Sequence, residues 1–239
     1  MLDNGFLEWQ EGVDAIKPHV VRVSTPRGTG TGFLLSYLRN RRFCAIATAA
    51  HVVDHAHYWE QPIKIEHISS GKTVLLRPSD RAIFLDEARD TAAIAFSKEA
   101  LPLPDEPIEL FFEGKYLRVG NEVGWVGFPA VSARHLCFFT GHVSHFIEEE
   151  HAYLVDGVAI NGVSGGPTIV LAGPGVYVIG VVSAYIANRA TGETLPGLSV
   201  VRDVSHFQEL LAELTTLDDA KAGESQMSGP PPPDPETGA

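Results

Sequence analysis

Residues 161 to 167 read Asn161-Gly162-Val163-Ser164-Gly165-Gly166-Pro167, one serine among glycine and proline positions that helix and strand interiors disfavour. A glycine at 162 allows a turn in which its own N–H and that of Ser164 point into one small space, the arrangement that stabilises an oxyanion. The same run is compatible with an ordinary turn. A serine hydroxyl is a weak nucleophile at neutral pH, so nucleophilic chemistry requires an imidazole base and a carboxylate to orient it. Both occur upstream. His51 stands in Ala47-Thr48-Ala49-Ala50-His51-Val52-Val53, which follows an apolar run and is expected at the end of a strand. Asp90 stands in Arg89-Asp90-Thr91-Ala92-Ala93-Ile94-Ala95-Phe96, at the start of another strand, with Asp80 and Asp86 nearby and Asp86 open as the alternative carboxylate. His51 and His55 also have the four-residue spacing of a zinc pair, but Val52 stands where such a site would carry glutamate and no third ligand is signalled, so no metal is expected.

The elements that must position these groups are mostly strands. Residues 8–16 read as a short helical lead-in, and 18–24, 28–35 and 41–48 as strands, the last delivering His51. The glycines of Gly28-Thr29-Gly30-Thr31-Gly32 are not followed by a phosphate-loop Gly-Lys-Ser/Thr. Further strands are expected at 63–68, 73–77 and 83–84, then a proline-rich connection at 101–107. Residues 138–144, 152–155, 168–171 and 176–183 continue the pattern, and the serine loop falls between the second and third of these. His55, His57 and His67 read as surface residues, and His142 and His145 as exposed strand positions. Val204, Phe207, Leu210, Leu211 and Leu214 follow a helical period, which predicts a helix over 201–215.

The composition sets bounds. A chain of 239 residues with 44% hydrophobic content can bury a large all-β core or two small barrels. Cys44 and Cys137 are its only cysteines and have no partners for a disulfide framework or a metal site, so both are expected as free thiols. The net charge of −12 argues against nucleic acid as a partner. No run approaches membrane-spanning length, and the N-terminus has no basic region followed by an apolar core, so no membrane association and a cytoplasmic location are expected. Residues 218–239, with five acids against one lysine and the run Gly229-Pro230-Pro231-Pro232-Pro233-Asp234-Pro235, are expected to form a disordered acidic, proline-rich tail.

The order His, Asp, Ser within Thr48-Ala49-Ala50-His51, Asp90-Thr91-Ala92-Ala93-Ile94 and Gly162-Val163-Ser164-Gly165-Gly166-Pro167 resembles the trypsin-like serine proteases, and most of all the bacterial HtrA-like peptidases without a PDZ domain. The similarity runs over about residues 20–214. Residues 119–129 resemble the family's glycine-rich strand that opens the second barrel. The resemblance implies an all-β fold of two Greek-key six-stranded β-barrels with a C-terminal helix. It divides the chain into a protease domain over 1–217, with barrels at about 18–110 and 116–200, and the tail. It implies catalysis by His51, Asp90 and Ser164, an oxyanion hole from Gly162 and Ser164, and no cofactor. The family pattern also favours Asp90 over Asp86. It puts Val158 at the floor of the first specificity pocket, with Ser183 and Tyr185 on the strand that binds substrate backbone and Gly197 on the opposite wall, implying cleavage after small or medium aliphatic residues. Digestive-type relatives place aspartate before the serine; Val163 stands here, so a salt bridge to a newly cut N-terminus cannot form. A protein or peptide substrate and a regulatory protein partner follow from the same resemblance. A partner-gated or silent binding module and an esterase are the competing readings.

Overall fold

A computed structural model describes residues 7–39, 41–187 and 194–227. The N-terminal half consists of β1 (Val20–Thr25), β2 (Gly28–Leu38), β3 (Phe43–Thr48), β4 (Ile63–His67), β5 (Lys72–Leu76), β6 (Arg81–Asp86) and β7 (Thr91–Ser97). They pair antiparallel in the order β5-β4-β1-β2-β3-β7-β6. The C-terminal half consists of β8 (Glu122–Gly127), β9 (Cys137–Ile147), β10 (Ala152–Val155), β11 (Pro167–Ala172), β12 (Gly175–Ala187) and β13 (Thr194–Asp203). These close into a barrel in the order β10-β13-β12-β11-β8-β9. Helix α1 (Trp9–Ile16) precedes β1, α2 (Ala50–Tyr58) lies between β3 and β4, and α3 (Ser205–Met227) follows β13.

Three apolar clusters explain why the strands are hydrophobic on both faces. Side chains alternate across a strand, so each strand supplies two surfaces. In the first half Val21, Val23, Leu34, Ile46, Ile94 and Phe96 fill the interior. Their neighbours Val20, Phe33, Leu35, Ala45, Ala47 and Ala93 face the other way, into a cluster shared with Val126, Ile169 and Val181 of the second half and Phe207 of α3. The alanines of β3 and β7 let the halves approach closely. A third cluster, with Trp125, Tyr153, Val163 and Val182, fills the closed barrel.

The second half meets the expectation of a six-stranded barrel, whereas the first is a seven-stranded half-barrel. Among the described residues no ladder joins β5 to β6, which are connected by the single 3-10 turn Pro78–Asp80. Arg81 spans the gap instead. Its guanidinium donates to Leu76 O at 2.8 Å, Gln61 O at 2.6 Å and Ala56 O at 3.1 Å, tying β5, α2 and the following loop to β6.

Three local expectations are corrected. The C-terminal helix begins at Ser205 rather than 201, because β13 continues to Asp203 and the Asp203 carboxylate then accepts from Ser205 N–H at 3.0 Å at the helix start. It runs on to Met227, so residues 218–227 are helical rather than part of a disordered tail. Their alanine, lysine, glutamate, glutamine and methionine residues favour helix and outweigh the single Gly223, and the Gly229-Pro230 break comes only after Met227. The proline run itself lies outside the described residues. His67 is buried rather than on the surface, with one ring nitrogen 2.9 Å from Ser70 Oγ and the other 2.8 Å from Pro18 O. Among the described residues no helix is long and apolar enough to cross a membrane.

Candidate active site

His51 lies in the first turn of α2 rather than at a strand end, because β3 stops at Thr48 and Ala49 and Ala50 pack tightly beneath the turn. A first-turn residue has a backbone N–H without a helical acceptor. Asp90 supplies one, its Oδ1 accepting from His51 N–H at 3.0 Å. The same carboxylate lies 2.9 Å and 3.0 Å from His51 Nδ1. A carboxylate only accepts, so Nδ1 carries the proton and Nε2 is left with its lone pair. Asp90 sits in the turn between β6 and β7 with φ +50°, an uncommon conformation for a residue with a side chain. Burial pushes its carboxyl up, but the His51 hydrogen bond and charge and the Ser183 hydroxyl outweigh that and leave it below its ordinary value. The Asp90 hydrogen bond raises the His51 imidazole, with burial acting against it. Asp86, the rival carboxylate, is occupied elsewhere. It accepts from Arg89 N–H at 3.0 Å and lies 3.4 Å from His206 of α3.

The serine loop joins β10 to β11 and is fastened from several sides. Val163 is fully buried in the closed barrel's core, so an apolar anchor stands where an aspartate would need an ion-pair partner. Gly165 N–H donates to Val182 O at 2.7 Å, and Thr31 N–H donates to Ser164 O at 2.8 Å. Gly162 has φ +93°, which glycine alone adopts cheaply. The Asn161 carbonyl accepts from Ala130 N–H at 2.7 Å, and because the peptide is trans the Gly162 N–H points away from Ala130. Among the described residues neither Gly162 N–H nor Ser164 N–H has an acceptor, and no hydrogen bond joins Ser164 Oγ to the His51 ring. Gly162, Ser164 and His51 line one cleft of about 350 Å³, with Arg27, Asp54 and Asn161 on its walls.

No protein-family model matches this chain, and no curated protein matches it. Solved structures do. A serine endoprotease from Yersinia pestis superposes with a TM-score of 0.63 at 17% identity, over 87% of this chain and 66% of that one. Rv3671c from M. tuberculosis H37Rv, as a serine-to-alanine mutant in its inactive form, superposes with a TM-score of 0.59 at 20% identity, over 86% of this chain and 90% of that one. The chain has the trypsin-like, HtrA-like fold.

Among the described residues, neither Val158 nor Ser183 lines the cleft that holds His51 and Ser164. Ser183 is 4% exposed and its hydroxyl donates to Asp90 Oδ2, so its side chain supports the carboxylate. Val158 is 49% exposed and Gly197 has φ +84° on β13. Tyr185 pairs with Ser199 in the β12–β13 ladder, and its side chain lies outside the described residues. Sequence reasoning missed the Ser183 role, which carries no local signal because its partner is far away in the chain. It also missed Arg89, whose guanidinium donates to Glu209 of α3 at 2.7 Å and so joins the turn bearing Asp90 to the C-terminal helix. The expectation of no metal site was read from spacing alone; among the described residues no cluster of three or more metal-ligating side chains occurs.

Proposed function

We propose that the chain is a serine endopeptidase acting through Ser164, His51 and Asp90. The observation that carries this reading is the shared cleft: a histidine whose Nδ1 is held by a partly buried carboxylate, a serine, and backbone donors at Gly162 and Ser164 that have no acceptor among the described residues. In this reading Ser164 Oγ attacks the carbonyl carbon of the scissile peptide, and His51 Nε2 takes the hydroxyl proton. Asp90 stabilises the imidazolium, and the two N–H groups hold the oxyanion of the tetrahedral intermediate. The imidazolium then protonates the leaving amine, and a water molecule deacylates the serine by the same steps. No cofactor enters this sequence. Two free cysteines, Cys44 and Cys137, fit a reducing compartment such as the cytoplasm.

The proposed preference is for small or medium aliphatic residues before the cut, because an apolar Val158 offers no partner to a buried lysine or arginine. A partner-gated variant of the same chemistry is favoured by one observation, that Ser164 and His51 are not hydrogen-bonded to each other. Labelling with a fluorophosphonate, abolished in Ser164→Ala, tests the nucleophile. Labelling that appears only with a peptide or partner added identifies gating, and none under any condition leaves a binding module. Cleavage of casein separates an endopeptidase from an esterase. A peptide library varied at the residue before the cut should show Ala, Val and Leu ahead of Lys and Arg, and a basic preference refutes the pocket assignment.

A further inference from the structure

Thr31 lies on β2, in the N-terminal half, and is fully buried where the two halves meet. Its hydroxyl both donates and accepts: it donates to Gly162 O at 2.8 Å and accepts from Phe128 N–H at 3.1 Å. Its backbone N–H donates to Ser164 O at 2.8 Å, and its carbonyl accepts from Thr48 Oγ1 at 2.7 Å. One residue of the first half therefore grips the carbonyls on both sides of Val163 in the serine loop, and its own carbonyl is fixed by the end of β3, just before α2 and His51. The packing leaves no slack. A Cβ added at Gly165 would lie 2.3 Å from Thr31 O and 2.2 Å from Thr48 Oγ1.

We infer that Thr31 is a positioning residue whose hydroxyl locks Gly162 in the orientation that presents its N–H to the oxyanion; this rests on the serine-peptidase reading above. Gly162 has no side chain to hold it, so its orientation depends on the bonds to its two peptides. Its preceding peptide is held through Asn161 O and Ala130 N–H, and its following peptide through the Thr31 hydroxyl on Gly162 O and through Val163 N–H on Ile160 O at 3.0 Å. Removing the hydroxyl leaves two buried backbone groups, Gly162 O and Phe128 N–H, without partners. The peptide that follows Gly162 then keeps only the Val163 N–H bond to Ile160 O, and a tilt of its unpartnered carbonyl turns Gly162 and carries the Gly162 N–H out of register with the serine.

The test compares Thr31→Val, which keeps the shape and loses the hydroxyl, with Thr31→Ser, which keeps the hydroxyl. Thr31→Val should lower kcat about 100-fold with KM little changed, because a misplaced oxyanion donor acts on the transition state. It should weaken binding of a peptide boronate, a tetrahedral oxyanion mimic, by a similar factor, and Thr31→Ser should restore both. The Gly162 amide resonance should shift in Thr31→Val and not in Thr31→Ser, a readout that needs no turnover. Wild-type protein that a fluorophosphonate labels under no condition, with or without added peptide or partner, sinks the peptidase reading, and the Gly162 resonance still decides the role of Thr31. Thr31→Val with wild-type kcat and an unmoved Gly162 amide overturns the inference, as does Thr31→Ser impaired equally with Thr31→Val. If Thr31→Val does not fold, the wild type decides: its Thr31 hydroxyl proton should be protected from exchange and coupled to the Gly162 carbonyl carbon, and a freely exchanging hydroxyl overturns the proposal.

Discussion

Replacing Asp90 by asparagine keeps the shape of the site and reverses the polarity of one contact. The carboxylate accepts from His51 N–H, His51 Nδ1–H and the Ser183 hydroxyl, so every neighbour within reach donates to it. An amide cannot accept on both sides. When its NH2 faces the imidazole it donates to Nδ1, the ring proton moves to Nε2, and the lone pair that should receive the Ser164 proton is lost. Exchange of this kind in a serine triad costs on the order of 10⁴ in rate, which at about 1.36 kcal/mol per decade is about 5 kcal/mol of transition-state stabilisation. The second-order rate of fluorophosphonate labelling measures this without a known substrate. His51 titration, followed by NMR, should fall in Asp90→Asn, because the hydrogen bond and charge that raise it are removed. In the wild type, labelling should rise with pH through a midpoint above the ordinary histidine value near 6.5, since only the neutral ring acts as a base. The stability sign is opposite. The raised His51 value stabilises the fold below the unfolded pKa and is lost as pH rises through the folded value, whereas the lowered Asp90 value stabilises above the unfolded pKa and is lost as pH falls through the folded one. The two describe one pair and are not to be added. Asp86→Asn is the control, because Asp86 contacts Arg89 and His206 and not His51. An Asp90→Asn rate within tenfold of wild type, or an equal loss in Asp86→Asn, would refute the assignment.

Two further outcomes follow from packing. Arg81→Ala removes three hydrogen bonds from the gap between β5 and β6 and should destabilise the protein by about 3 kcal/mol, lowering Tm by roughly 10 °C; a change within 2 °C would mean that the half-barrel holds without this latch. Val163→Asp puts a carboxylate in the apolar cluster of Trp125, Val155 and Val182, and should cost at least ~2 kcal/mol in chemical denaturation and abolish labelling; normal stability would show that the side chain turns out to solvent.

The sequence by itself determined which atoms were available and roughly where the strands lie. Ser164 among its glycines, His51 after an apolar run and Asp90 before another were legible because such residue types in that order serve few other purposes, and period-two apolar runs mark strands. It also determined that the residue before the serine is apolar. Tertiary structure decided the partnerships. Asp90 and Asp86 were indistinguishable by spacing, and only the β6–β7 turn shows that one faces His51 while the other faces α3. Ser183 was legible only as part of a strand, and β12 places its hydroxyl on a carboxylate 93 residues away. Thr31 looked like one more residue in a glycine-rich strand, and its hydroxyl meets Gly162 O across 131 residues. Closure was equally hidden: nothing local in residues 72–86 shows that a guanidinium rather than a ladder bridges the two strand edges. Hydrophobic periodicity is written along the chain, whereas a hydrogen bond between distant residues depends on how the two halves dock, and that docking is decided by the packing of the shared core as a whole.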